Sequence, residues 1–170
     1  KDDIKQSYSN FEIFNIFSEN KRILYFLLKE QILSFDQQFI DQFKNESDLF
    51  YFMPEIISID KENSDNSEHF EFSREKGENE SIICQIIRQD SVHKMVEFLN
   101  NENLSLAETK IHHSIFETNG FLIEKEPTLM EYAAFFGSIR IIQYLQMQKI
   151  KLTPSLWLYA IHGNSQEMIQ

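Results

Sequence analysis

Five histidines and one cysteine are the residues of this 170-residue chain best equipped for chemistry: His69, His93, His112, His113, His162 and Cys84. Imidazole binds metals and moves protons near neutral pH, and a thiolate is a nucleophile, so their spacing decides what they could do. A structural or catalytic metal site needs three or four ligands at short, recurrent spacings. His112 and His113 are adjacent, so on a helix or a strand they point in different directions. No second cysteine and no His-x-x-x-His pair completes a ligand set. All five histidines are therefore expected at the surface, and no metal ligand is expected.

Cys84 and His93 could in principle act as nucleophile and base. Cys84, however, lies within the apolar helical stretch Ile82-Ile-Cys-Gln-Ile-Ile87 with no activating motif around it. That is the pattern of a small buried hydrophobe. The four glycines, at 77, 120, 137 and 163, are isolated from one another, which leaves no Gly-rich loop to cradle a phosphate. No catalytic residue, cofactor or small-molecule substrate is expected.

The formal net charge of −11 opposes binding to nucleic acid or to an anionic membrane, both of which require a basic footprint. A neutral or basic protein partner follows. A single cysteine allows no intrachain disulfide and suits a reducing compartment, so an intracellular, cytoplasmic setting is expected. The Asn-x-Ser triplets beginning at Asn45, Asn79 and Asn103 are then chance matches. No apolar run approaches the ~20 residues that span a bilayer.

Sixteen Phe, six Tyr and one Trp supply bulky core material, while four Gly and three Pro leave little for a turn-rich β architecture. Helical spacing dominates instead. Phe11, Ile13, Phe14 and Phe17, then Ile23, Leu24, Leu27 and Leu28, predict a helix pair broken at Ser18–Lys21. Ser34 with Gln37 predicts a capped helix start leading into Phe39, Ile40 and Phe43, and Ser47 a short helix through Phe52, ended by Pro54. From Asp60 to Glu80 eight acidic residues face three basic ones, with Phe70 and Phe72 the only large hydrophobes. Such a segment offsets little of its ordering entropy, and it is taken as a flexible acidic connector, with a docked helix as the rival.

Past Ser81, Ile82, Ile83, Ile86 and Ile87 form one stripe and Val92, Met95, Val96 and Leu99 another, interrupted at Asp90-Ser91. Residues 100–126 are irregular, with a capping-box start at Ser114–Glu117 and a turn at Asn119-Gly120. A repeat follows. Aligned at an offset of 27 residues, the 17-residue segments starting at Pro127 and Pro154 coincide at 7 positions, where unrelated segments would match at about one. In each, small residues (Ala133-Ala134, Ala160) let helices approach closely. Gly137 or Asn164 can take the left-handed conformation that ends a helix, and Ser138 or Ser165 can cap the next. Tyr132 and Tyr159 are expected as core aromatics with hydroxyls at the rim. Trp157 occupies the place of Met130, either as a partner anchor or beneath a further repeat, since the chain stops at Gln170 within the second copy and is taken as a piece of something longer.

Tyr132-Ala-Ala-Phe-Phe-Gly-Ser-Ile-Arg-Ile-Ile-Gln-Tyr-Leu145 resembles the helix pair of an ankyrin repeat. With Gly77–Ser81, Ile86–Ser91 and Ser114–Asn119, the chain looks similar to the uncharacterised ankyrin-type domains that precede ankyrin arrays in large protist protein families. The resemblance covers most of residues 75–170 and extends more loosely over the first lobe. Two departures stand out: Thr128–Glu131 and Ser155–Leu158 replace the Thr-Pro-Leu-His tetrapeptide, and 27 residues against ~33 implies a trimmed finger between Leu145 and Pro154.

The resulting expectation is an all-α chain of stacked helix-turn-helix pairs, an ankyrin-like α-solenoid with an N-terminal helical lobe. Its parts are the lobe at 1–58, the acidic connector at 59–80 and the repeats at 81–170, the last incomplete. Stacked hairpins hold surface side chains rigidly, so the resemblance implies a non-enzymatic protein–protein interaction module. The alternatives are a structural cap of a solenoid and, behind it, a Cys84/His93 enzyme.

Overall fold

In the computed structural model, residues 7–36, 39, 51–52, 67–102 and 104–169 are described. Among them every regular element is a helix, in keeping with the expected all-α class, and the single antiparallel bridge, Lys110 with Thr128, does not extend into a strand. The chain divides into two compact units, Lys1–Glu78 and Asn79–Gln170.

In the first unit, α1 (Asn10–Phe17) and α2 (Lys21–Lys29) form the expected pair. Ser9 and Glu12 close a capping box at the start of α1, and the Asn20 side chain accepts from the Ile23 N–H at 3.1 Å to start α2. Ile13, Phe14, Leu24, Tyr25 and Leu27 are buried, whereas Phe11 and Ile23 of the expected stripes are exposed. Phe14, Phe35 and Phe39 interlock, with centroids 4.9 Å (Phe14–Phe39) and 4.7 Å (Phe35–Phe39) apart. Gln37, the other half of the cap expected at Ser34, lies outside the described residues, and a cap is seen at Asp36. Asp36 Oδ1 accepts from the Phe39 N–H at 2.8 Å, while the Ser34 hydroxyl accepts from the Asn10 side-chain amide. Residues 37–38 and 40–50, with Ser47, lie outside the described residues.

The expected connector is corrected in its described part. Residues 59–66 lie outside it, but Ser67–Lys76 form a helix, α3, that docks within the first unit. Arg74 is buried with its guanidinium 4.1 Å from the Tyr25 ring centroid, and it donates to Glu71 Oε1 at 2.5 Å and to the Tyr51 carbonyl at 3.2 Å. The Tyr25 hydroxyl donates to Glu71 Oε2 at 2.6 Å. Docking is cationic and aromatic rather than apolar, so a count of hydrophobes does not foresee it.

The second unit contains α4 (Ile82–Arg88), α5 (Val92–Asn101), α6 (Gly120–Glu124), α7 (Leu129–Phe136), α8 (Ile139–Met147), α9 (Leu156–His162) and α10 (Gln166–Ile169). Three of its turns share one construction. Asp90, Gly137 and Asn164 take positive φ of 47°, 67° and 51°, and each is followed by a serine. Those serine N–H groups donate to the carbonyls five residues back: Ser91 to Ile86, Ser138 to Ala133, Ser165 to Ala160. This is Schellman-type closure, and it defines the pairs α4–α5, α7–α8 and α9–α10.

Helix α7 is the centre of the unit, packing against α4, α8 and α9. Thr128 and Glu131 close a capping box at its start. Ala133, Ala134 and Ala160 are fully buried, and a Cβ placed on Gly163 would lie 1.8 Å from the Phe135 carbonyl oxygen, so α7 and the end of α9 nearly touch. The α4 stripe differs from expectation: Cys84, Ile86 and Ile87 are buried and Ile82 is exposed. Ser138 is also corrected. Its hydroxyl donates to the Ile87 carbonyl at 2.6 Å, and the α8 N-terminus is capped instead by Asp90, whose carboxylate accepts from the Arg140 and Ile141 N–H groups at 3.1 and 2.8 Å. No helix starts at Ser114. Glu117 is buried against Asn79, and Asn119 caps α6 by accepting from the Phe121 and Leu122 N–H groups.

Candidate interaction surface

The histidines are all exposed: His69 on α3, His93 on α5, His112 and His113 in the segment before α6, His162 on α9. His112 Nδ1 lies 3.2 Å from Glu126 Oε1, and the His162 ring stacks on Phe121 with centroids 3.9 Å apart. Among the described residues no three His, Cys, Asp or Glu side chains come together as a metal site would require. Cys84 is fully buried, and burial pushes its thiol up from its ordinary value, which holds it protonated. Its interacting groups include Ser81 and Tyr132.

Around Cys84 lies a buried polar network. Arg88 donates to the Tyr132 hydroxyl at 2.6 Å and to the Asn79 carbonyl at 2.8 Å, and the Asn79 side chain donates to the His112 carbonyl at 2.8 Å. Glu117 accepts from the Asn79 and Asn119 N–H groups, yet burial outweighs these bonds and raises its carboxyl above its ordinary value. The network joins the ends of segments to α4 and α7, giving it a positioning role. It also places the Tyr132 hydroxyl inside rather than at the rim, and it closes Asn79, one of the three Asn-x-Ser asparagines, to modification.

Of the exposed large apolar side chains, which include Ile16, Phe26, Phe72, Ile82 and Met147, three sit together on α9. Leu156, Tyr159 and Ala160 are buried, while Trp157, Leu158 and Ile161 are exposed by 57%, 47% and 61%. In the seven-residue sequence Leu-Trp-Leu-Tyr-Ala-Ile-His only His162 is fully polar, so α9 is apolar around its whole circumference. Such a helix normally has partners on every side, and this one has an open side. Trp157 and Ile161 lie one turn apart and are neighbours on the helix surface. Beside them a groove of about 240 Å³ is bounded by Ile142, Leu152, Leu156, Trp157 and Met168. A second groove, about 350 Å³ between α4 and α5, is more polar, lined by residues such as Gln85, Gln89, Lys94 and Glu97.

The repeat register sharpens the contrast. Trp157 and Ile161 correspond to Met130 and Ala134, which α7 buries to 3% and 0% exposure. Of this surface, the sequence reading singled out Trp157 alone. The uninterrupted apolar circumference of Leu156–Ile161 was the available signal for Leu158 and Ile161. No protein-family model, curated protein or solved structure matches the chain. What the fold defines is a class, an all-helical protein whose second unit is built from paired helices. No helix among the described residues is long and apolar enough to cross a membrane.

Proposed function

We propose that the chain is a non-enzymatic protein–protein interaction module of the ankyrin-repeat kind, which presents the open face of α9 to another protein in an intracellular setting. The observation that carries this reading is the exposure of Trp157, Leu158 and Ile161 on a helix with no polar side. The shared Schellman turns at Asp90, Gly137 and Asn164 support the ankyrin-type comparison.

Fully burying a side chain of this size is worth about 1.5–3 kcal/mol, so covering the exposed half of these three contributes about 2–5 kcal/mol. Association costs at least ~4 kcal/mol, so a partner has to engage the neighbouring groove as well. A second reading, a structural cap on which a further helix pair stacks, is favoured by the register of Trp157 and Ile161 with buried Met130 and Ala134.

The test is affinity capture from the native cell with the wild-type chain and with a Trp157→Ser/Ile161→Ser variant, whose exposed positions leave folding intact. A protein retained by the wild type and lost from the variant supports the interaction module. Identical captured sets would overturn it and leave the structural cap.

A further inference from the structure

Thr153-Pro154 is the only pair in the chain in which a hydroxyl residue precedes proline, since Pro54 follows Met53 and Pro127 follows Glu126. Proline holds the residue before it in extended backbone, the form in which a protein-kinase cleft takes its substrate, and kinases directed to proline tolerate its missing N–H. The structure presents the pair openly. Residues 150–153 have no regular structure between α8 and α9, and Lys151, Leu152, Thr153 and Pro154 are all exposed. Thr153 also lines the groove beside α9, together with Leu152, Leu156 and Trp157.

The Thr153 hydroxyl is linked to the cap of α7. Its oxygen lies 2.7 Å from Ser155 Oγ, and Ser155 donates to Glu131 Oε1 at 2.6 Å. A carboxylate only accepts, so the single Ser155 proton belongs to Glu131 and Thr153 donates to Ser155. Glu131 Oε2 accepts from the Thr128 N–H and hydroxyl at 2.8 and 2.9 Å, which closes the capping box of α7. In the repeat register Thr153 falls where the first copy has Glu126, an exposed residue whose carboxylate lies 3.2 Å from His112 Nδ1. The first hairpin thus carries a fixed anion at this point, and the second carries a hydroxyl that can become one.

We propose that Thr153 is the phosphoacceptor of a proline-directed serine/threonine kinase, and that its phosphate closes the α9 groove to apolar partners. In the transfer, Thr153 Oγ1 bonds to the γ-phosphorus of ATP and the bond from that phosphorus to the β–γ bridging oxygen breaks. ADP leaves, and the hydroxyl proton passes to the catalytic carboxylate of the kinase. The phosphothreonine carries about −1.5 to −2 charges at neutral pH and strong acceptor oxygens in place of the donor. It competes with Glu131 for the one Ser155 proton, with like charges on both sides of that hydroxyl. It also sets a hydrated anion on the wall of a groove whose other sides include Leu152, Leu156 and Trp157, so an apolar partner would have to strip that water. Control of the groove rests on α9 being an interaction face; the phosphoacceptor and its link to Glu131 do not.

The full chain, incubated with ATP and a purified proline-directed kinase, should gain one phosphoryl group, placed on Thr153 by fragmentation mass spectrometry. Thr153→Val and Pro154→Ala should gain none, and both positions are exposed, so the variants keep the fold. Phosphorylation should lower the melting temperature of the wild type, and the drop should shrink in Glu131→Gln, where no like charge faces the phosphate. The phosphorylated chain should lose the Trp157-dependent protein that the unmodified chain captures. No label, label on another hydroxyl, or equal label on Pro154→Ala overturns the phosphoacceptor. A melting shift that is absent, or equal in Glu131→Gln, overturns the link to Glu131. Retention of the Trp157-dependent protein after phosphorylation overturns control of the groove and leaves the interaction module standing. If neither form captures such a protein, the module and control of the groove fall together, while the phosphoacceptor is decided by the label.

Discussion

At the scale of single residues, Asp90 does two jobs: it takes the positive φ that breaks α4 from α5, and its carboxylate caps α8 from 50 residues away. Asp90→Asn keeps the turn and weakens the cap, and it should cost about 0.5–1 kcal/mol, read as a lowered denaturant midpoint at unchanged slope. Glu131 gives a pH signature. Burial pulls its carboxyl upward, but the hydrogen bonds from Ser155 and Thr128 outweigh that and hold it below its ordinary value. A carboxyl depressed in the folded state contributes stability above its unfolded pKa and loses it as pH falls through the folded value. Glu131→Gln should therefore lower the melting temperature at neutral pH, with the gap to wild type closing in acid. A gap independent of pH would show that charge plays no part. Gly137 and Asn164 were legible in the sequence because positive φ is a local demand. Ser138 was misassigned because the group that caps α8 lies in another helix pair, and no local pattern carries that information.

Among the elements, the contact of α7 with α9 is the tightest in the described structure. Gly163→Ala would drive a methyl into the Phe135 carbonyl and Ala133→Leu would overfill the fully buried surroundings of α7, so each should cost ~1–3 kcal/mol or more by chemical denaturation. An unchanged midpoint for Gly163→Ala would show that the helices are not so close. The helix pairs themselves were readable from hydrophobic spacing punctuated by Asp90-Ser91, Gly137-Ser138 and Asn164-Ser165. Ser114–Glu117 has the composition of a capping box, but Glu117 is already engaged by the Asn79 and Asn119 backbone, so tertiary structure overrides the local signal. The same holds for α3, whose docking depends on Tyr25 and Tyr51, residues distant in sequence.

Over the whole molecule, the compact units meet in sequence at Glu78–Asn79, so α3 belongs with the first unit and Asn79 opens the second. Residues 79–170 produced alone should keep their helical circular dichroism and the solvent-exposed emission of Trp157. A collapsed signal would show that the second unit depends on the first. The all-α class was plain from composition. The Asp90 cap and the Ser138 bond to the Ile87 carbonyl also give assembly a direction. As the chain emerges from the ribosome, the α4–α5 turn is complete before α8 has been made. The α7–α8 hairpin thus meets an earlier turn that receives the start of α8, like a zip closing behind synthesis.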